Sequence, residues 1–304
     1  MSIYTDLACE ARELDPDIEG VTEQKSKLGE IEITRTTIST PDAAKRLNKR
    51  MGRYVTLDAP GLVFRPLDLF KNVSAAIAEE LSSLTAKQKA GEIAIVGLGN
   101  RAVTPDSLGP RTSERVFVTR HVKEYMPEAF MFPVPSVTQI VPGVLGSTGI
   151  ETLELIKGLS ERIRPDLIIA VDSLASRRAE RISTTVQICD SGIDPGSGVG
   201  NIRAGLNYET LGIPVIAIGV PLVVHASTIT RDTVEMIIKE NGLSCGREVL
   251  NGLSSKLISE RIDQMIMTPK DIDAIIEDMS SIVAEGINRA LFGEHYEEVR
   301  RLIA

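Results

Sequence analysis

The 304-residue sequence predicts an α/β fold: a wound, mostly parallel sheet flanked by helices, with a smaller α+β part in front. Three observations point there. Ile93–Val96 and Leu167–Val171 are uniformly apolar and β-rich, as strands buried on both faces of a parallel sheet must be. Each run breaks into residues that can carry chemistry, Gly97–Asp106 after the first and Asp172 after the second. Between and beyond them strand-like and helix-like stretches alternate, which right-handed crossovers wind into one sheet.

The front part is assigned to residues 1–90 and the α/β core to 91–304, with residues 242–263 as a weakly patterned surface excursion. Thr5 reads as the cap of a short helix, with Glu10 and Glu13 facing solvent. Residues 30–38 alternate as a half-exposed strand, 41–49 suggest a short helix, and 53–57 another strand. Leu69, Val73, Ile77 and Leu81 mark one face of a helix over 66–84.

In the core, strand 93–96 leads to the Asp106 loop, and Pro110 opens a helix expected to run through Met126. Residues 134–141 form the next strand, 142–149 a long turn, and 150–163 a helix that Pro165 closes. Strand 167–171 then delivers Asp172, and a short helix carries Arg177, Arg178, Glu180 and Arg181. Strands over 184–188 and 214–220 flank the glycine-rich loop 190–201, and 227–240 is helical. The last helix starts on Thr268 and Pro269 and buries Ile272, Ile275, Ile276, Met279 and Val283.

Composition narrows the function. A net charge of −8 and the lack of a basic block argue against a general nucleic-acid or anionic-membrane binder. No apolar run is long enough to span a bilayer and no signal peptide is visible, so a cytoplasmic protein without membrane contact is expected. Cys9, Cys189 and Cys245 are odd in number and lack Cys-x-x-Cys spacing, which points to reduced thiols.

The chemistry is expected from Asp106 and Asp172. In one parallel sheet both come from the carboxyl edge, where open α/β sheets place their ligands, and two facing carboxylates suit acid/base hydrolysis. Asp166 precedes its strand and belongs to the opposite edge; Asp190 and Asp194 read as turn formers. Two alternatives stay open. His225, after strand 214–220, would complete an Asp106, Asp172, His225 metal site. Gly97–Ala102 fits a loose dinucleotide fingerprint, although Pro105 falls inside the helix it should open and no ribose-binding acid follows the next strand. A serine mechanism is disfavoured: Leu145–Gly149 lacks the first glycine of a nucleophile elbow, and the histidines are only His121, His225 and His295.

Long blocks of the chain resemble the germination proteases of spore-forming bacteria. They include Gly52–Leu57, Val96–Asn100, Val103–Pro110, Ile140–Val144, Thr148–Thr152, Asp190–Ile193, Pro195–Asn201 and Tyr208–Gly219. The resemblance implies an atypical aspartic endopeptidase without a cofactor, homotetrameric, and acting on small acid-soluble spore proteins in the forespore and spore core. It also implies a fold similar to hydrogenase maturation endopeptidases and places the catalytic pair on Asp106 and Asp172. The loop carrying Gly196, Gly198, Gly200 and Asn201 would offer backbone amides to substrate or to an oxyanion. Members are made as zymogens that remove a short N-terminal segment between an acidic and an apolar residue followed by Ala. Thr5-Asp6-Leu7-Ala8 matches, so self-cleavage is expected between Asp6 and Leu7, favoured by acid. Against members of the family, residues 242–263 look short.

Overall fold

A computed structural model describes residues 5–86, 91–196, 203–241 and 265–303. The chain runs α1 (Ala8–Leu14), β1 (Val21–Leu28), β2 (Ile31–Ile38), α2 (Pro41–Leu47), β3 (Gly52–Asp58), α3 (Leu67–Thr85) and β4 (Glu92–Gly97). It continues with α4 (Leu108–Ser113), α5 (Arg120–Tyr125), β5 (Ser136–Ile140), α6 (Leu145–Thr148), α7 (Thr152–Ile163), β6 (Leu167–Ser176) and β7 (Thr185–Cys189). After α8 (Tyr208–Leu211) come β8 (Val215–His225), α9 (Ala226–Glu240), β9 (Ile266–Met267), α10 (Ile272–Phe292) and α11 (Tyr296–Ile303).

The strands form a single mixed sheet in the order β1-β2-β3-β7-β8-β6-β4-β5, with β9 added on β8. Its working centre is parallel, as the apolar runs require: β8, β6, β4 and β5 all point the same way. The strands of residues 1–90 lie in that same sheet, reaching it through the antiparallel pairing of β3 with β7 and of β7 with β8.

Alternation sorts the side chains. Leu167, Ile169 and Val171 of β6 join Ile216, Ile218 and Val220 of β8 in the main core beneath α3 and α10. Ile168 and Ala170 point to the opposite face, toward Ile156 of α7. That opposite face also receives α1 and α2 through Ala8, Ala11, Ala43 and Leu47. A strand apolar on both sides needs a layer on each, and here α3 and α10 supply one layer while α7, α1 and α2 supply the other.

Several expectations are corrected. The strand carrying Asp172 does not stop there: β6 runs on to Ser176, paired with β8, because Leu174 and Ala175 are buried again after the polar Asp172-Ser173 step. Arg177, Arg178, Glu180 and Arg181 accordingly sit in a connection with one 3-10 turn over Ala179–Arg181. The helix expected over 110–126 is two short helices, α4 and α5, separated by a stretch in which Phe117 N–H donates to Asn288 of α10 at 2.9 Å. The last helix begins at Ile272, because the Thr268 hydroxyl donates to Leu222 O of β8 rather than capping a helix. β1 escaped the sequence reading: seven of its eight positions are exposed, so it shows no apolar alternation. The excursion expected at 242–263 lies wholly outside the described residues.

Candidate active site

The two aspartates are brought together. Gly97, the last residue of β4, pairs with Val171, so β4 ends where β6 presents Asp172. The chain leaves β4 through Gly99 at φ +110°, a backbone conformation open to glycine, and returns in a 3-10 turn, Thr104–Asp106. Asn100 N–H donates to Asp106 Oδ2 at 2.8 Å and to Asp106 O at 2.9 Å, which fixes the carboxyl over the end of the strand. β5 and β6 lie on opposite sides of β4, so this is also the point where strand order switches.

Both residues line one cleft of about 800 Å³. Burial pushes the Asp106 carboxyl up to about 6, although the Asn100 N–H opposes the shift. Asp172, only 6% exposed, is pushed well above the usual carboxylate range by burial first, then by the neighbouring charge of Asp106. Its one opposing contact is Ser173 N–H, which donates to Oδ1 at 2.8 Å. Both shifts favour the protonated form, so the pair keeps a proton above the usual carboxylate range.

Gly99 tests how tightly this turn is built. A Cβ there would lie 2.0 Å from Asp106 O, in addition to the unfavourable φ. Gly99→Ala is expected to move the carboxyl and reduce turnover by about 10²-fold. Steady-state kinetics on folded protein check this; a rate within twofold of wild type would contradict it.

The N-terminal segment enters the same cleft. Thr5 does not cap a helix: residues 5–7 approach as extended chain, and α1 begins at Ala8 with Leu7 at φ −81°, ψ 125°. Asp6 N–H donates to Ala175 O at 2.9 Å, and Ala175 N–H returns a bond to Asp6 Oδ2 at 2.8 Å. Lys49 Nζ donates to Thr5 O at 2.8 Å. Leu7 is fully buried and packs on Leu174. Gln187 of β7 donates from Nε2 to Asp6 O at 3.0 Å and accepts Ala8 N–H on Oε1 at 2.7 Å. The Asp6 charge adds to the upward push on Asp172.

Glu10 is likewise corrected from a solvent-facing position to a fully buried one. It accepts Arg177 N–H at 2.6 Å and Arg178 N–H at 3.0 Å, bonds the Thr5 hydroxyl, and pairs with Arg181 at 3.5 Å. Arg181 also meets Glu13 and Asp58, tying α1 to β3 and to the end of β6. No local signal in the sequence marks Gln187, and Glu10 reads there only as a solvent-facing residue.

The remaining expected residues distribute as follows. Gly196 lines the cleft, whereas Gly198, Gly200 and Asn201 lie outside the described residues. Asp166 stands at the opposite edge, accepting Gly91 N–H and Glu92 N–H. Asp190 and Asp194 bind Arg53 and Arg50. His225 does not reach the pair. It closes β8, six residues beyond Gly219, the partner of Asp172, and so about 20 Å along the strand. The reason is that β8 continues past the expected end at residue 220, through Pro221, which is accommodated where β6 and β8 slip register. Among the described residues no group of three or more His, Cys, Asp or Glu is arranged to hold a metal ion.

Fold and site together define an α/β protein that sets two coupled carboxyl groups in a cleft at the strand-order switch of its sheet. The chain belongs to the germination protease family, whose description matches it over residues 2–259. It is 45% identical to the germination protease of Caldanaerobacter subterraneus over 96% of this chain and 94% of that one. It is 39% identical to the Bacillus subtilis germination protease over 95% and 93%, and 37% identical to that of Priestia megaterium over 98% and 95%. A solved [NiFe] hydrogenase maturation protease from Thermococcus kodakarensis aligns with 68% of this chain and 97% of its own, at TM-score 0.34 and 19% identity. No helix among the described residues is long and apolar enough to cross a membrane.

Proposed function

We propose that the chain is an aspartic-type endopeptidase of spore germination, made as a zymogen, in which Asp106 and Asp172 activate water against a peptide bond. The observation that carries the reading is the pair in one cleft, both carboxyls raised by burial, Asp172 also by the charge of Asp106, and Asp106 to about 6. Ionised Asp106 takes a proton from water as the oxygen adds to the carbonyl carbon. Protonated Asp172 stabilises the carbonyl oxygen, and a proton passes to the leaving nitrogen as the C–N bond breaks. The family and its relatives' names support a protease of germination; small acid-soluble spore proteins as substrate, the cytoplasm of the spore as the place of action and a homotetramer as the working assembly complete the proposal.

The same pair cuts the Asp6–Leu7 bond of its own chain. Support comes from the way Thr5 and Asp6 line the cleft with Leu7 extended ahead of α1, and from the Asp6 charge, close enough to Asp172 to raise it. The competent form carries one proton on the pair. The rate should therefore rise as alkaline solution is acidified, level off, and fall again below about pH 6, where Asp106 becomes protonated.

The test is N-terminal sequencing of the full chain over a pH series. A new terminus at Leu7 following this profile, and absent from Asp106→Asn, is the expected result. An unchanged terminus in an enzyme that already cuts a purified small acid-soluble spore protein would rule out the self-cleavage. Failure to cut any such protein would rule out the peptidase reading itself.

A further inference from the structure

Resting on the reading of Asp6–Leu7 as a substrate of the aspartate pair, the geometry points to Gln187 as a third catalytic residue: its side-chain amide clamps the scissile bond and donates to the carbonyl oxygen on which charge develops. Asp172, Gly219 and Gln187 are register partners across the three adjacent strands β6, β8 and β7. Cross-strand partners face the same way. The odd-face neighbours confirm the side: Val186 and Ile188 point into the main core with Val171, leaving Gln187 on the face of Asp172. Gly219 between them contributes no side chain, and a Cβ there would meet Leu174 at 2.5 Å. The glycine lets Leu174 lean over the sheet and floor the site under Leu7, with a carboxyl on one flank and an amide on the other.

Gln187 spans the bond to be cut. Nε2 donates to the Asp6 carbonyl, the scissile one, at 3.0 Å. Oε1 accepts the N–H of Ala8, two residues on, at 2.7 Å. Only one orientation of the amide satisfies both, since the reverse would set oxygen against oxygen and N–H against N–H. The two contacts hold Leu7 extended and present the Asp6 carbonyl in a fixed pose. Gln187 is itself buried, only 6% exposed, so its donor is already stripped of water before charge forms.

In the reaction, water oxygen bonds to the Asp6 carbonyl carbon while Asp106 receives the water proton. The carbonyl π pair moves onto oxygen, where Gln187 Nε2–H and the protonated Asp172 face it. Collapse breaks the C–N bond, and the nitrogen leaves as the Leu7 amine with the proton that Asp106 took from water, which restores the Asp106 carboxylate. One water is consumed, an Asp6 carboxyl and a Leu7 amine are formed, and Gln187 is unchanged. A neutral amide suits the role because its donor persists over the whole pH range in which the pair titrates.

The experiment follows loss of residues 1–6 by mass spectrometry in full-length wild type, Gln187→Glu, Gln187→Ala and Asp172→Asn across a pH series, with circular dichroism and thermal midpoints as the check on folding. Gln187→Glu keeps the acceptor for Ala8 N–H and loses the donor while ionised. It should cut about 10²- to 10³-fold more slowly than wild type at pH 8. Its rate relative to wild type should recover on acidification, as the carboxyl regains a proton to donate. Gln187→Ala should stay slow at every pH.

A Gln187→Ala chain that cuts at the wild-type rate overturns the assignment. So does a Gln187→Glu chain whose deficit is the same at every pH, the result a purely structural role would give. If the alanine variant does not fold, the glutamate series alone decides. Uncut wild-type chain, or cutting by Asp172→Asn at the wild-type rate, instead overturns the aspartate-pair reading and removes the basis for the role of Gln187. Intact controls with fast Gln187 variants defeat the role of Gln187 alone.

Discussion

Asp172→Asn should reduce peptide cleavage by roughly 10⁴-fold while making the protein more stable at neutral and alkaline pH. The two effects have one origin. Asp172 is buried beside Asp106, and both burial and that charge disfavour its ionisation. The folded state therefore keeps a proton that the unfolded chain has already released. Stability falls as pH rises from the ordinary carboxylate range through the raised value, since over that interval the unfolded state binds fewer protons. Asparagine fills the same volume, keeps an acceptor for Ser173 N–H, and has no charge to lose. The thermal midpoint of Asp172→Asn should exceed that of wild type by a margin that widens with pH. An equal margin at all pH values, or a loss of stability, would contradict the assignment of the raised group. Activity and stability then pull in opposite directions at this position, as expected where a buried ionisable group serves chemistry.

Glu10→Ala is expected to undock α1. The carboxylate is fully buried, and its removal strands the N–H groups of Arg177 and Arg178 and one partner of Arg181. Breaking a buried charge pair by removing one member costs about 3–5 kcal/mol. Here the loss falls on a seven-residue helix, so the cost should appear as local opening more than as global unfolding. Hydrogen exchange should show residues 6–14 deprotected while β4, β6 and β8 keep their protection. Self-cleavage at Asp6–Leu7 should slow with it, because the bond is no longer held across the cleft. Unchanged protection of α1 would refute the anchoring role.

Much of the site was legible in the sequence because the signals were local. Two apolar runs, Ile93–Val96 and Leu167–Val171, each followed by an aspartate within reach, suffice to place Asp106 and Asp172 at one sheet edge. What escaped depends on partners far along the chain. Gln187 stands with Thr185 as a polar residue in a five-residue buried strand, and its contacts lie 179 and 181 residues away on the N-terminal segment. Glu10 read as surface because its neighbours Glu13 and Arg12 are polar; the backbone N–H groups that bury it are 167 and 168 residues distant. β1 failed for the opposite reason, since an exposed edge strand of Thr, Glu, Gln, Lys and Ser has no apolar face to report. His225 was placed near the pair by ending its strand at residue 220, whereas Leu222 and Val224 are buried and carry the strand on.

The place of β8 in the sheet has a consequence for the order of events during synthesis. β8 stands between β7, which holds the strands of the first ninety residues, and β6, which leads to β4 and β5. Until residues 215–225 have left the ribosome, the half of the sheet bearing Gln187 has nothing to join it to the half bearing Asp172. Residues 6 and 7 precede β8 in the chain, so the cleft that receives their bond closes only after that bond has emerged. The order of synthesis would thus keep the proposed self-cleavage from starting before β8 is made.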